Sequence, residues 1–168
     1  MRTKIKLIFS TIMLVVLVSS CFKSEVYPIE PIIADPIFAF SGDSAQLTFS
    51  FTDCDGDIGL APADTLAPYN SASYYHYNLH LDYYEKDDVN GWQRGRNLDG
   101  DSIVFQYRLK PIVVKGKARG IKGTMDVTIV NFSNPFSDQA DTIRYTIKLI
   151  DKALHESNVI ETNEIYPS

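Results

Sequence analysis

The stretch Ala45-Gln46-Leu47-Thr48-Phe49-Ser50-Phe51-Thr52-Asp53-Cys54-Asp55-Gly56-Asp57-Ile58-Gly59-Leu60 carries two signals in one run. Its first half alternates. Ala45, Leu47, Phe49 and Phe51 are apolar, while Gln46, Thr48 and Ser50 between them are polar. A period of two marks a half-buried strand. Without a change of phase the row continues into Asp53, Asp55 and Asp57. Carboxylates so close repel one another unless something positive sits among them. The natural candidate is a hard cation held by oxygen ligands, with calcium first.

The same period recurs along the chain. Tyr75, Tyr77, Leu79, Leu81 and Tyr83 alternate with His76, Asn78, His80 and Asp82, which predicts a second, longer strand. Asp87-Asp88-Val89-Asn90-Gly91 follows, and its Asn-Gly pair predicts a hairpin that returns through Trp92-Gln93-Arg94. Further runs are Ile103 to Leu109, Met125 to Val130, Ile143 to Leu149 and Val159 to Tyr166. Residues 64–73 read as a loop, and no stretch reads as an amphipathic helix. About seven or eight strands with turns between them predict an all-β antiparallel sandwich over residues 37–168.

The N-terminus reads as an address. Arg2, Lys4 and Lys6 precede an apolar run from Leu7 to Val18, too short for a comfortable membrane span. Val18-Ser19-Ser20 then leads into Cys21. This segment resembles the lipobox of bacterial lipoproteins. The resemblance implies a signal peptide over residues 1–20, a lipid-modified Cys21 and membrane attachment through that lipid. Phe22, where such proteins would carry Asp for retention at the inner membrane, implies the outer membrane or cell surface. Residues 21–36, with three prolines, read as a tether. The mature chain keeps 13 Lys and Arg against 21 Asp and Glu. That acidic balance excludes nucleic acid as a partner. With Cys21 lipidated, Cys54 is the only thiol left, so no intramolecular disulfide forms.

The run Tyr145-Thr146-Ile147-Lys148-Leu149-Ile150-Asp151-Lys152-Ala153 with Ser157-Asn158-Val159 resembles the end of bacterial immunoglobulin-like and fibronectin-type domains. The resemblance implies an immunoglobulin-like sandwich, with Tyr145 in the place of its tyrosine-corner residue. Lipobox, Asp-Gly-Asp-Ile-Gly element and this ending together resemble surface lipoproteins of the Bacteroidetes type. In the strand Ile143, Tyr145, Ile147, Leu149, the next residue in phase is Asp151. If the two Asp-ended strands are B and F of the sandwich, they run parallel on facing sheets. Asp53, Asp55, Asp57 and Asp151 then converge at one pole as a calcium site. An EF-hand is excluded, because Ile58 stands where its loop needs glycine, Asp64 replaces the final Glu, and neither flank is helical.

Other groups carry weaker signals. Cys54 with His155 would be a nucleophile and base, but two neighbouring aspartates disfavour a thiolate. His76 and His80 read as exposed residues of one strand, too far apart to share a metal. The acidic cluster shows no apolar setting that would raise one carboxyl for acid–base work. Tyr74, Tyr84 and Trp92 fall on the outward phase of an aromatic hairpin, a candidate face for a glycan or protein partner. Residues 110–123 hold five cations and no acids, which reads as a solvated hairpin tip. The expected function is a non-catalytic, calcium-stabilised binding or structural module on the cell envelope. The alternatives are an accessory subunit of an outer-membrane assembly and a small hydrolase using the acidic pole.

Overall fold

The computed structural model describes residues 28–41, 44–113, 120–130 and 140–166. The segment expected to be a signal peptide, Cys21 and the centre of the basic 110–123 run lie outside the described residues. Eight strands are present among the described residues: β1 (Ile32–Ser41), β2 (Ser44–Asp53), β3 (Leu79–Asp87), β4 (Gly91–Arg94), β5 (Val104–Tyr107), β6 (Ile121–Val130), β7 (Ile143–Leu149) and β8 (Ile160–Glu161). They form two antiparallel sheets, so the expected all-β sandwich is the observed fold. One sheet has the order β1-β2-β6, and the other β4-β3-β7-β8 with β5 also on β3.

The period-two rows decide the layering. Alternate residues of β2 are buried from Ala45 to Asp53, and alternate residues of β7 from Ile143 to Leu149. The two rows meet between the sheets with Leu79, Leu81 and Tyr83 of β3. Tyr145 lies in this core, its ring stacked on Phe38 at 5.3 Å and tilted against Tyr83 at 5.6 Å. The Asn-Gly hairpin forms as expected, with Asp87 opposite Gly91. Beyond it, β4 and β5 both run antiparallel to β3 on the edge that β7 leaves free. They are one edge strand, interrupted by a small excursion closed by the Arg96–Ser102 bridge. Gly95 is required at the start of that excursion, because a Cβ there would lie 2.2 Å from the Tyr83 ring.

Two expectations need correction. The fold begins at Ile32 rather than Ile37, so part of the expected tether is strand. Pro36 concealed it. The proline sits at a register shift between Ala34 and Ile37, next to Asp35 at φ 53°. Proline is tolerated at such a bulge on an edge strand. The second correction concerns Tyr75 and Tyr77. The chain there makes a 3-10 turn, Tyr74–His76, capped by Ser73, whose hydroxyl accepts from the Tyr75 amide at 3.1 Å. The strand begins only at Leu79.

The Ser157-Asn158 pair joins the sheets. The Asn158 side chain accepts from Ile33 N at 2.9 Å and donates to Ile33 O at 2.8 Å, acting as a one-residue strand beside β1. Ser157 Oγ accepts from Leu149 N at 3.0 Å. Asn158→Ala leaves both Ile33 backbone groups without these partners, so it should lower the unfolding free energy by about 1–2 kcal/mol. Urea unfolding of the variant checks this; an unchanged midpoint would show that water replaces the amide freely.

Candidate metal centre

β2 and β7 end at the same pole. After Asp53 the chain turns through Gly56, at φ 72°, and Gly59, at φ 108°. After Leu149 it turns through Leu154, at φ 74°. The two loops are tied together. Lys152 N donates to Asp57 O at 3.3 Å, Lys152 Nζ pairs with Asp64 at 3.1 Å, and the Tyr69 hydroxyl donates to Lys152 O. Arg108 holds the longer loop from beneath, donating to the carbonyls of Ala61, Asp64 and His76.

The convergence expected from strand phase is present. Asp53, Asp55, Asp57 and Asp151 each offer an oxygen, and these atoms lie within 4.8 Å of one another. Calcium–oxygen bonds of about 2.3–2.6 Å place opposed ligands roughly 5 Å apart, whereas magnesium at about 2.0–2.1 Å requires roughly 4 Å. Oxygens within 4.8 Å of one another fall inside the span of either shell. Asp53 is 0% and Asp151 1% exposed, while Asp55 faces solvent.

The carboxylates are not satisfied by capping alone. Asp53 Oδ2 does cap the turn, accepting from Asp57 N at 3.0 Å. Asp53 Oδ1 and Asp57 Oδ1, however, are buried without a hydrogen-bond partner. A buried unpaired carboxylate oxygen is costly. Burial pushes the Asp53 carboxyl up to about 7, with Asp55, Asp57 and Asp151 adding to the shift. Asp57 is raised as well, by burial first and then by Asp151. This corrects the reading that the cluster lacks an apolar setting: Asp53 sits at the end of the core row, with Phe51 and Ile58 also buried.

Sequence reading took His155 only as a base for Cys54 and missed its hold on Asp151. His155 donates its amide to Asp151 Oδ1 at 2.8 Å, and its Nδ1 lies 2.8 Å from Asp151 Oδ2. That contact holds the imidazole above the ordinary histidine range. It also fixes the Asp151 carboxylate, as groups behind metal ligands commonly do. Asp64 is not part of the cluster; it accepts from Ala61 N at 2.8 Å and pairs with Lys152. Gly59 serves packing. A Cβ there would lie 2.4 Å from Lys110 O, because Leu60 N bonds Leu109 O and Ile112 N bonds Ile58 O on either side.

The aromatic face is on the second sheet. Tyr84 and Trp92 do project outward, but they clamp the Arg144 guanidinium, which lies 5.6 Å and 4.5 Å from their ring centroids. Tyr74 stacks on His80 at 4.4 Å. That stacking corrects the expectation for His80, which is only 5% exposed, and His76 lies in the 3-10 turn rather than on the same strand. Cys54 is a free, half-buried thiol next to Asp53. No family model and no curated protein matches this chain, so its function rests on what these side chains can hold.

Proposed function

We propose that the protein is a lipid-anchored, non-catalytic module of the bacterial cell envelope. A calcium ion held by Asp53, Asp55, Asp57 and Asp151 would fix the two loops at one pole. The observation that carries the metal reading is the pair of buried, unpartnered oxygens, Asp53 Oδ1 and Asp57 Oδ1, inside a ring of four carboxylates, and an all-oxygen ring favours calcium. Backbone carbonyls and water complete the six to eight ligands calcium takes. Zinc, which prefers nitrogen and sulfur, fits this donor set poorly. The anchor reading rests on Cys21 and the apolar run before it. Detergent partition of Cys21→Ser should move the protein from the detergent to the aqueous phase, and a variant still in the detergent phase would sink the lipid anchor.

The raised Asp53 carboxyl also invites an acid–base reading, since a carboxylic acid beside ionised carboxylates is the pattern of many hydrolases. Burial argues for the ion instead. A carboxyl that is 0% exposed can reach a bound cation, but not a substrate. Calorimetric titration tests the site: one calcium should bind the wild type, and none should bind Asp53→Asn. Equal binding to both would remove Asp53 from the site.

A further inference from the structure

The outward residues of the second sheet form rows across β5, β3 and β7. His80 is opposite Gln106 and Lys148, and Asp82 is opposite Val104 and Thr146. On the next row outward Tyr84 is opposite Arg94 and Arg144. The middle row is short, and the rows flanking it are long. The result is a groove of about 430 Å³ with Val104, Asp82 and Thr146 as its floor. That volume lies in the range of small-molecule sites.

The walls are held in place. His80 Nε2 lies 3.1 Å from Tyr77 O and so carries the proton, which leaves Nδ1 to accept from the Gln106 amide at 3.1 Å. Burial holds this imidazole below the ordinary histidine range, and so neutral, with Lys148 adding to the effect. Tyr74, 47% exposed, stacks on His80 and lines one wall. At the opposite side Arg94 pairs with the Asp82 carboxylate. Lys148 pairs with Glu156 at 3.0 Å. Each cation of the groove thus has a carboxylate partner, so its charge is compensated.

We infer that this groove binds a neutral saccharide. Tyr74 keeps one ring face on His80, with Lys148 Nζ 5.5 Å from its centroid, and its exposed side is what the apolar face of a sugar ring would meet. The Asp82–Arg94 pair offers acceptors and donors side by side for adjacent hydroxyls, and the Gln106 amide offers more. The compensated charge disfavours uronic acids and phosphates, and a floor of small residues leaves depth for a ring. The inference deepens the reading of the protein as a non-catalytic module of the cell envelope and rests on it, but it does not depend on calcium.

The test uses the mature chain with oligosaccharide fragments of α-glucan, β-glucan, mannan and xylan, with oligogalacturonate as the anionic control. At least one neutral fragment should bind in calorimetry. Tyr74→Ala and Asp82→Ala should each weaken it tenfold or more, and Val104→Trp, which fills the floor from an exposed position, should abolish it. Val89→Ala, exposed in the Asp87–Gly91 turn, should leave saccharide affinity unchanged. Absence of binding by every neutral fragment at millimolar concentration overturns the inference. So does preference for the galacturonate, or full affinity in Val104→Trp. In any of those cases the calcium titration still reads independently, and a failed calcium titration with intact saccharide binding sinks only the ion site.

Discussion

Adding calcium should raise the melting temperature of the mature protein by about 5–10 °C. The magnitude follows from linkage. A ligand at a hundredfold excess over its dissociation constant adds about 2.7 kcal/mol, and a domain of this size gains roughly 2–4 °C per kcal/mol. The ion would relieve two costs, the repulsion among Asp53, Asp55, Asp57 and Asp151 and the unpartnered oxygens of Asp53 and Asp57. Asp53→Asn should abolish the response while keeping an oxygen for the Asp57 amide. Magnesium should do much less, since it gives up its own waters reluctantly and demands near-ideal octahedral geometry. The chelated protein offers a second reading of the same site. The Asp53 carboxyl at about 7 lies above its ordinary value, so the folded state binds a proton that the unfolded chain releases. That contribution is present at acid pH and is lost as pH rises from about 4 to about 7. Calcium displaces the proton, so its stabilisation should grow across the same window. Melting curves with chelator and with calcium at several pH values check both; a flat response to calcium, with or without Asp53→Asn, would leave the aspartates as turn caps.

Gly59→Ala should be the most damaging single methyl in the described part of the pole. The new Cβ meets backbone, 2.4 Å from Lys110 O and 2.5 Å from Pro111 Cα, at φ 108°. Backbone cannot swing aside as a side chain can. Strain of this kind together with the clash amounts to about 3–5 kcal/mol, or a fall of roughly 10 °C in melting temperature. Thermal melts of the variant decide it. A fall below about 1 kcal/mol would mean that the segment 109–112 is free to move away from the acidic loop. Gly91→Ala is the control, since a Cβ there meets nothing, and only its φ of 71° opposes the change.

The core rows were legible in the sequence because a strand buried on one face writes its geometry as alternation. Extending the phase of β2 and β7 past their last apolar residue placed Asp53 and Asp151 together across nearly a hundred residues. The parts that were not legible share another property. Pro36 hid β1 because a bulge removes the local signal. Tyr75 and Tyr77 alternate like a strand, but the Ser73 cap and the Arg108 hydrogen bond to the His76 carbonyl favour a turn. Arg108 and His155 act on distant loops or through a partner four residues away, and nothing in their own neighbourhood announces it. His80 looked exposed because alternation does not register that a loop residue, Tyr74, covers it.

The break between β4 and β5 has a consequence for crowding. An uninterrupted sheet edge is a template on which a neighbouring molecule can add a strand and begin an aggregate. Here the edge is offered only as two pieces, Gly91–Arg94 and Val104–Tyr107, of four residues each. Between them the 96–102 excursion turns the chain back on itself. No incoming strand can run past that knuckle in register, so this side of the sheet resists self-templating at high protein concentration.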